Sequence, residues 1–192
     1  MTSAALEQPS LADAAQRDDL AQLGVWMFLA TVVMLFAAFT SAYIVRRSAS
    51  DWTPIELPWI VWMNTAVLIA SSAVLESARR AGRRRYETAS SLRLLAAAGL
   101  GALFLEGQVV AWRMLAALGV YVWTNPHSSF FFVLTGAHGT HMLAGLTLLV
   151  YTALRGQHLD PPSRTRLMTV SATFWHFLGV IWVYVLVLVS VF

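Results

Sequence analysis

The sequence predicts an all-helical integral membrane bundle of five transmembrane helices, and two features of the 192-residue chain carry this prediction. Hydrophobic residues make up 58% of the chain and charged residues only 12%, which leaves too little polar surface for a water-soluble domain. The apolar residues also gather into runs of about 20, the length that a helix needs to cross ~30 Å of hydrocarbon. Five runs qualify, at residues 20–45, 59–78, 92–110, 130–154 and 168–191.

The first predicted helix, residues 20–45, follows an acidic segment. Residues 1–19 carry four acidic side chains and no apolar run, so they resemble neither a signal sequence nor an Arg-rich transit peptide. We expect these residues to form a solvated tail, and residues 20–192 to form one transmembrane domain.

The second predicted helix, residues 59–78, ends in a charged turn. Glu76 precedes Arg79 and Arg80 by three and four residues, the spacing at which side chains on a helix meet. This spacing favours an ion pair at the membrane interface over a special role for the carboxylate.

The third predicted helix, residues 92–110, contains an ionisable residue at depth. Glu106 lies ~20 Å along this helix, and Arg113 follows two turns later. Ionisable groups in the membrane are costly and are functional candidates by default. Two alternatives stay open: Glu106 bonds a neighbouring helix as an acid, or it meets a partner subunit or a water chain and has a proton-related role.

The fourth and fifth predicted helices, residues 130–154 and 168–191, contain three histidines. His138 and His141 are three residues apart and share a helix face. Gly136, Gly139 and Gly145 beside them predict close packing of the helix backbones. His141 and His176 lie at similar depth, which bis-histidine haem ligation would require. The alternative, which the glycines favour, is that neutral imidazoles hydrogen-bond across helices as packing groups.

The placement of arginine predicts the orientation. All thirteen basic residues are arginine. If the N-terminus is cytoplasmic, ten of them flank the cytoplasmic ends of the helices and three flank the outer ends. We therefore expect the N-terminus in the cytoplasm, the C-terminus outside, and an inside anchor rather than a nucleic-acid patch in the Arg-rich loop.

The sequence excludes several classes of site. There is no cysteine, so disulfides and thiolate metal sites are excluded. We find no phosphate-binding loop, no acidic metal motif and no plausibly spaced Ser, His and Asp set. No inverted repeat indicates a transporter. The chain therefore shows no active site or metal site of its own.

Each predicted helix contributes one stretch to a pattern that extends along the chain. The stretches are GVWMFLATVVMLFAAFTSAY, NTAVLIASSAVLESA, LGALFLEGQVVAW, FFFVLTGAHGTHMLAG and TFWHFLGVIWVYVLVLV. A Thr-Gly-x-His-Gly-x-His run and a Trp-His-Phe run are their most specific parts. Together these stretches resemble subunit III of the haem-copper oxidases, the cytochrome c and quinol oxidase family, in its short five-helix bacterial form. The resemblance covers residues 24–192.

The resemblance implies a non-catalytic subunit of a respiratory oxidase in the bacterial plasma membrane. Such a subunit has no cofactor of its own, because haem and copper lie in partner subunits. It packs on catalytic subunit I, binds phospholipid and supports proton uptake in aerobic electron transport. The resemblance also implies packing roles for His138, His141 and His176, and lipid contacts for His138, Trp26 and Tyr43.

The sequence departs from the family pattern at two acidic positions. Thr31-Val32 stands where the family usually has a Ser-Glu pair, and Gly179 stands where an aspartate usually follows the Trp-His-Phe run. A proton-related role tied to those acids is therefore in doubt, and Glu106 is the candidate to replace one of them. Two alternatives remain: a nitric oxide reductase accessory protein, and a small electron carrier with haem on His141 and His176.

Overall fold

The computed structural model describes residues 11–84 and 88–191. These ranges contain five α-helices, one single-turn 3-10 helix (Gly156–His158) and no strand. All five α-helices include a segment long and apolar enough to cross a membrane, which confirms the predicted all-helical class and the five spans. The helices are α1 (Leu11–Arg47), α2 (Ile60–Arg84), α3 (Thr88–Ala117), α4 (Pro126–Arg155) and α5 (Pro161–Val191).

The helices are longer than the predicted spans. Helix α1 begins at Leu11, inside the segment predicted as a solvated tail, and residues 1–10 lie outside the described residues. Helix α4 begins at Pro126 because Asn125 caps it. The Asn125 side chain accepts a hydrogen bond from the Ser128 N–H at 2.9 Å, and the Ser128 hydroxyl accepts one from the Asn125 N–H at 3.2 Å.

Helix α3 ends in a tight turn before the α3–α4 connection. Gly119 follows the helix with a φ of 78°, a left-handed conformation that favours glycine. The Val120 N–H then donates to the Leu115 carbonyl at 2.9 Å, which satisfies one of the last free carbonyls of the helix. The short connection to α4 thus makes α3 and α4 antiparallel neighbours.

Helix α5 is the centre of the bundle. It packs along α1, α2 and α4, and its Trp175 and Trp182 rings also reach α3, which packs between α2 and α4. Half of the α5 span is buried, compared with 17% of the α1 span. The indole rings of Trp175 and Trp182 are the largest fully buried side chains of α5. Helix α1 therefore lies at the periphery and leaves most of its surface to the surroundings.

Three glycines provide the closest helix contacts. A Cβ at Gly101 of α3 would overlap the Trp175 ring of α5, and one at Gly107 would overlap the Asn64 amide of α2. A Cβ at Gly145 of α4 would lie 3.2 Å from Cε3 of Trp175. These positions let backbones approach where a larger residue would hold them apart.

Two other glycines of α4, predicted to have the same role, do not provide close contacts. A Cβ at Gly136 or Gly139 would meet its nearest neighbour at 3.9 Å, an ordinary van der Waals distance. The prediction was wrong for these two positions, because spacing on a helix does not show how closely a neighbouring helix approaches.

Candidate functional site

His138 lies in the interior of the bundle and is 0% exposed. Its ring packs edge-on against Phe104 of α3, with centroids 5.9 Å apart, and at a tilt of 35° against Trp182 of α5, with centroids 5.2 Å apart. Neither ring nitrogen has a hydrogen-bond partner among the described residues. The ring therefore joins α3, α4 and α5 by apolar contact, and the predicted hydrogen bond to another helix is not formed.

His141 faces a different neighbour from His138. Its Nδ1 lies 2.7 Å from the Ala137 carbonyl, one turn back in the same helix. The ring is partly buried and lies 6.4 Å from the ring of Phe28 and 6.1 Å from that of Phe36, both in α1. The two histidines predicted to share a face therefore contact different helices.

His176 belongs to a charged cluster on α2 and α5. The Glu76 carboxylate accepts hydrogen bonds from Nε of Arg79 at 2.8 Å and from Nε of Arg80 at 2.9 Å. His176 Nε2 lies 3.9 Å from the same carboxylate. The spacing along the sequence indicated the two arginines, whereas the contact with His176 depends on how α5 is rotated.

His141 and His176 do not form the pair that haem ligation requires. His141 contacts α1, and His176 lies against Glu76 of α2, so the rings are directed at different helices. Position along the sequence predicts the height of each residue in the membrane but not the direction of its side chain. In residues 11–84 and 88–191, no group of three or more His, Cys, Asp or Glu could hold a metal ion.

Tyr43 and Trp26, predicted to contact lipid, lie in opposite environments. Tyr43 is 0% exposed, and its ring packs against Trp52 with centroids 4.9 Å apart and against Phe130 at 5.5 Å. Trp26 is 56% exposed. A lipid contact therefore fits Trp26, while burial removes Tyr43 and His138 from any lipid.

Trp26 lines a cavity between the first turns of two spans. The cavity has a volume of about 550 Å³ and lies between α1 and α5. Its walls combine apolar and hydroxyl groups with one guanidinium. The lining residues include Gln22, Trp26, Pro161, Thr165, Arg166 and Thr169.

His127 is a buried residue that the sequence analysis did not select. It is 1% exposed, and its Nδ1 accepts a hydrogen bond from the Ile55 N–H at 2.8 Å. The ring also lies 5.1 Å from Trp52 and 5.9 Å from Tyr43. His127 thus holds the α1–α2 connection against the start of α4, and its place just after an Asn-Pro pair gave no signal of this contact.

Hydrogen bonds between helices come from amide, indole and hydroxyl groups. Asn64 Nδ2 donates to the Phe104 carbonyl at 3.3 Å, and Trp182 Nε1 donates to Thr65 Oγ1 at 2.9 Å. The Thr152 hydroxyl of α4 lies 2.8 Å from that of Ser171 of α5. These pairs take the role that the sequence analysis assigned to the histidines.

The α1–α2 connection is joined by an ion pair to Arg46 in the last turn of α1. The two terminal nitrogens of the Arg46 guanidinium, Nη1 and Nη2, donate to the Asp51 carboxylate at 2.7 and 2.6 Å. The hydrogen bonds from Arg46 hold the pKa of Asp51 below its ordinary value. This pair joins the end of α1 to the loop that leads back towards His127.

Glu106 lies on the outer surface of α3. Its side chain is exposed, and within the described ranges no hydrogen bond or ion pair joins it to another residue. Arg113 is exposed two turns further along the same helix. The structure therefore does not form the predicted bond between Glu106 and a neighbouring helix of this chain, which leaves the alternative of a partner outside it.

The sequence is similar to one family over most of its length. Residues 13–192 match the family model described as cytochrome c oxidase subunit III. The chain is 32% identical to cytochrome c oxidase subunit 3 of Synechocystis sp., an alignment that covers 89% of this chain and 75% of the relative. It is 30% identical to the subunit of the same name from Corynebacterium diphtheriae, an alignment that covers 91% of this chain and 89% of the relative. It is also 30% identical to cytochrome bo(3) ubiquinol oxidase subunit 3 of Pseudomonas aeruginosa, an alignment that covers 86% of this chain and 82% of the relative.

Proposed function

Because this chain belongs to the cytochrome c oxidase subunit III family, we propose that it is the non-catalytic subunit III of a respiratory haem-copper terminal oxidase. The observation that carries the proposal is the match to this family over residues 13–192, together with relatives named as subunit 3 of cytochrome c and ubiquinol oxidases. None of these relatives supports a nitric oxide reductase accessory protein or a bis-histidine haem carrier.

The mechanism that we propose is support of catalytic subunit I rather than chemistry within this chain. The family carries no redox centre of its own. In agreement with this, His138 and His141 are engaged in ring packing, and His176 lies beside an ion pair. A rigid bundle centred on α5 would hold its outer faces in fixed positions against subunit I, as a packed interface requires.

Phospholipid binding fits the cavity between α1 and α5. Trp26 offers an amphipathic ring of the kind that lies at headgroup level, and Arg166 supplies a cation for an anionic headgroup. The apolar wall beside them suits an acyl chain. We therefore assign the lipid contact to this cavity.

The orientation and location follow from the arginine distribution. We propose an N-terminus in the cytoplasm, a C-terminus outside and insertion in the bacterial plasma membrane. In this orientation the cavity opens near the inner leaflet, where anionic lipids and the arginine-rich loop would also lie. Cysteine accessibility to an impermeant reagent in intact cells would test this orientation, since the chain contains no native cysteine.

Co-purification tests the proposed function. The tagged chain, expressed in its own host and extracted in mild detergent, should co-purify with a haem-containing subunit that shows a Soret band and oxidase activity. Removal of this chain should leave an active enzyme that loses activity faster during turnover. A monomer that co-purifies with no haem-copper subunit would contradict the proposal, and a Soret band in the isolated chain that disappears on His141→Ala would favour the haem carrier instead.

The lipid assignment needs a separate measurement. Native mass spectrometry of the complex should show bound phospholipid that is lost from Trp26→Ala and Arg166→Ala variants. Met34→Ala is a matched control, because Met34 is an exposed α1 residue outside the cavity. Equal lipid loss from all three variants would contradict the assignment.

Support of proton uptake is the third part of the proposal. We propose that it is indirect, through the stability of the interface with subunit I, because the family acids are replaced at Val32 and Gly179. Glu106→Gln in the assembled complex should therefore change proton uptake only slightly. A large loss of uptake, with assembly intact, would instead identify Glu106 as part of a proton pathway.

A further inference from the structure

Glu106 is exposed at a depth that water and lipid headgroups do not reach. The α3 span runs over Ala89–Ala117, so Glu106 lies about 16 Å from the Ala117 end and about 25 Å from the other end. The hydrocarbon region is ~30 Å thick, which places this carboxyl well inside it. Acyl chains offer no hydrogen-bond donor, so the carboxyl needs a partner from another molecule.

The residues around Glu106 form a continuous exposed face along α3, which we call the α3 face. Its members recur every three to four residues and are all exposed. A Cβ added at Gly99 would have no neighbour within 4 Å, so the backbone itself is open to close approach here. The α3 face comprises Leu92, Ala96, Gly99, Leu103, Glu106, Val110 and Arg113.

The charges on the α3 face restrict what can cover it. Arg113 lies about 6 Å from the Ala117 end, close to the membrane interface, while Glu106 lies about 10 Å deeper. A phospholipid headgroup reaches the level of Arg113 but not that of Glu106. A second copy related by a two-fold axis along the membrane normal would place Glu106 against Glu106 and Arg113 against Arg113, so like charges would meet.

We propose that the α3 face docks a transmembrane helix of another chain, which places a cationic or hydrogen-bond-donating side chain opposite Glu106 and an acceptor near Arg113. This occupant satisfies both charges, and the small residues at Ala96 and Gly99 let its backbone approach. The proposal rests on the proposed function, because the partner helix belongs to the same membrane complex.

Site-specific photo-crosslinking in the native membrane tests the proposal. A benzophenone amino acid is placed at Leu103 or Val110, which flank Glu106 on the α3 face, and in matched controls at Met34 of α1 and Val180 of α5, which are exposed on other helices. Leu103 and Val110 should crosslink to one transmembrane helix, and mass spectrometry should find Arg, Lys, His or an amide in it within a turn of the crosslink.

The Glu106 side chain itself is tested in the same assay. Glu106→Leu should reduce the crosslink yield from Leu103 by about threefold to tenfold, the size expected for one lost interhelical hydrogen bond, and Glu106→Gln should reduce it less. Because Glu106 is exposed, Glu106→Leu should leave the melting temperature of the isolated chain unchanged, which separates lost docking from lost folding.

Several results would overturn the proposal. These are crosslinks from Leu103 to lipid only, crosslinks to a second copy of this chain, a partner helix with no donor at that level, or equal yields with and without the Glu106 carboxyl. Co-purification of haem is read out independently. If haem co-purifies while Leu103 reaches only lipid, the α3 docking surface is wrong and the subunit III function stands; if no haem co-purifies, the proposed function fails on its own evidence.

Discussion

Replacing Gly101 by alanine should destabilise the bundle, whereas the same replacement at Gly99 should not. At Gly101 the added Cβ would lie 2.7 Å from Cζ2 of Trp175 and closer still to Cη2. At Gly99 nothing lies within 4 Å of the added atom. The two positions are two residues apart in one helix, so they share the same backbone geometry and differ in their neighbours.

The size of the destabilisation depends on whether the Trp175 ring can move away from the added Cβ. Trp175 is 0% exposed, and its ring also lies close to Gly145 of α4, so the ring has little room to shift. Overpacking of this kind costs about 1–3 kcal/mol. The gain in helix propensity from glycine to alanine, roughly 0.5–1 kcal/mol, applies to both positions and cancels in their difference. We therefore expect Gly101→Ala to be about 1–3 kcal/mol less stable than Gly99→Ala.

The free energy of unfolding can be measured by SDS titration from mild detergent, with tryptophan fluorescence as the signal. Replacing Trp175 by leucine in the Gly101→Ala background should recover part of the loss, because the overlapping ring is gone. The reasoning is refuted if Gly99→Ala and Gly101→Ala have the same stability, or if the effect of Gly101→Ala does not depend on Trp175.

Two further predictions concern hydrogen bonds. Thr65→Val leaves the buried Trp182 indole N–H without its acceptor and should lower the free energy of unfolding by about 1 kcal/mol in the same titration. Thr147→Val is the control and should lower it little, because this exposed threonine bonds only its own helix. Equal losses in the two variants would contradict the prediction. The hydrogen bonds from Arg46 lower the pKa of Asp51, so this pair stabilises the fold fully above the ordinary carboxyl pKa of about 4, and the effect is lost as the pH falls through the lowered pKa of the folded state. Asp51→Asn should therefore lower the melting temperature slightly at pH 7, by a difference that shrinks steadily as the pH falls below about 4, and a difference that does not shrink with falling pH would argue against the ion pair.

The number and type of the helices could be predicted from the sequence because membrane thickness fixes the length of each apolar run. The ends could not be placed as well, since helices extend beyond the hydrocarbon. Helix α4 begins four residues before the predicted start because Asn125 provides a cap. Local capping chemistry, rather than hydropathy, sets that boundary.

The directions of side chains could not be predicted from depth. His141 and His176 lie at similar height by sequence count, yet one contacts Phe28 and Phe36 on α1, and the other lies beside Glu76 on α2. The rotation of each helix about its axis depends on packing against neighbours. The ion pair of Glu76 with the following arginines needed no such information, because all its members lie within one turn of the same helix.

The closest helix contacts could be predicted only in part. Of the three glycines near the α4 histidines, Gly145 has close neighbours as predicted, but Gly101 and Gly107 of α3 have the tightest neighbours. A glycine indicates that close approach is permitted, and only the facing residue, here Trp175 or Asn64, decides whether the approach occurs.

The peripheral position of α1 has a consequence for biogenesis. During synthesis this helix leaves the ribosome before its neighbours exist, so it must be stable in the bilayer alone. Its span has a mean hydropathy of 2.2 and is 17% buried in the finished bundle, while the α2 span has a mean hydropathy of 1.4 and is 28% buried. A helix that keeps lipid around most of its surface loses little by inserting before the helices that it contacts. Helix α1 can therefore enter the membrane ahead of α4 and α5, whereas the less apolar α2 has α3 to pack against.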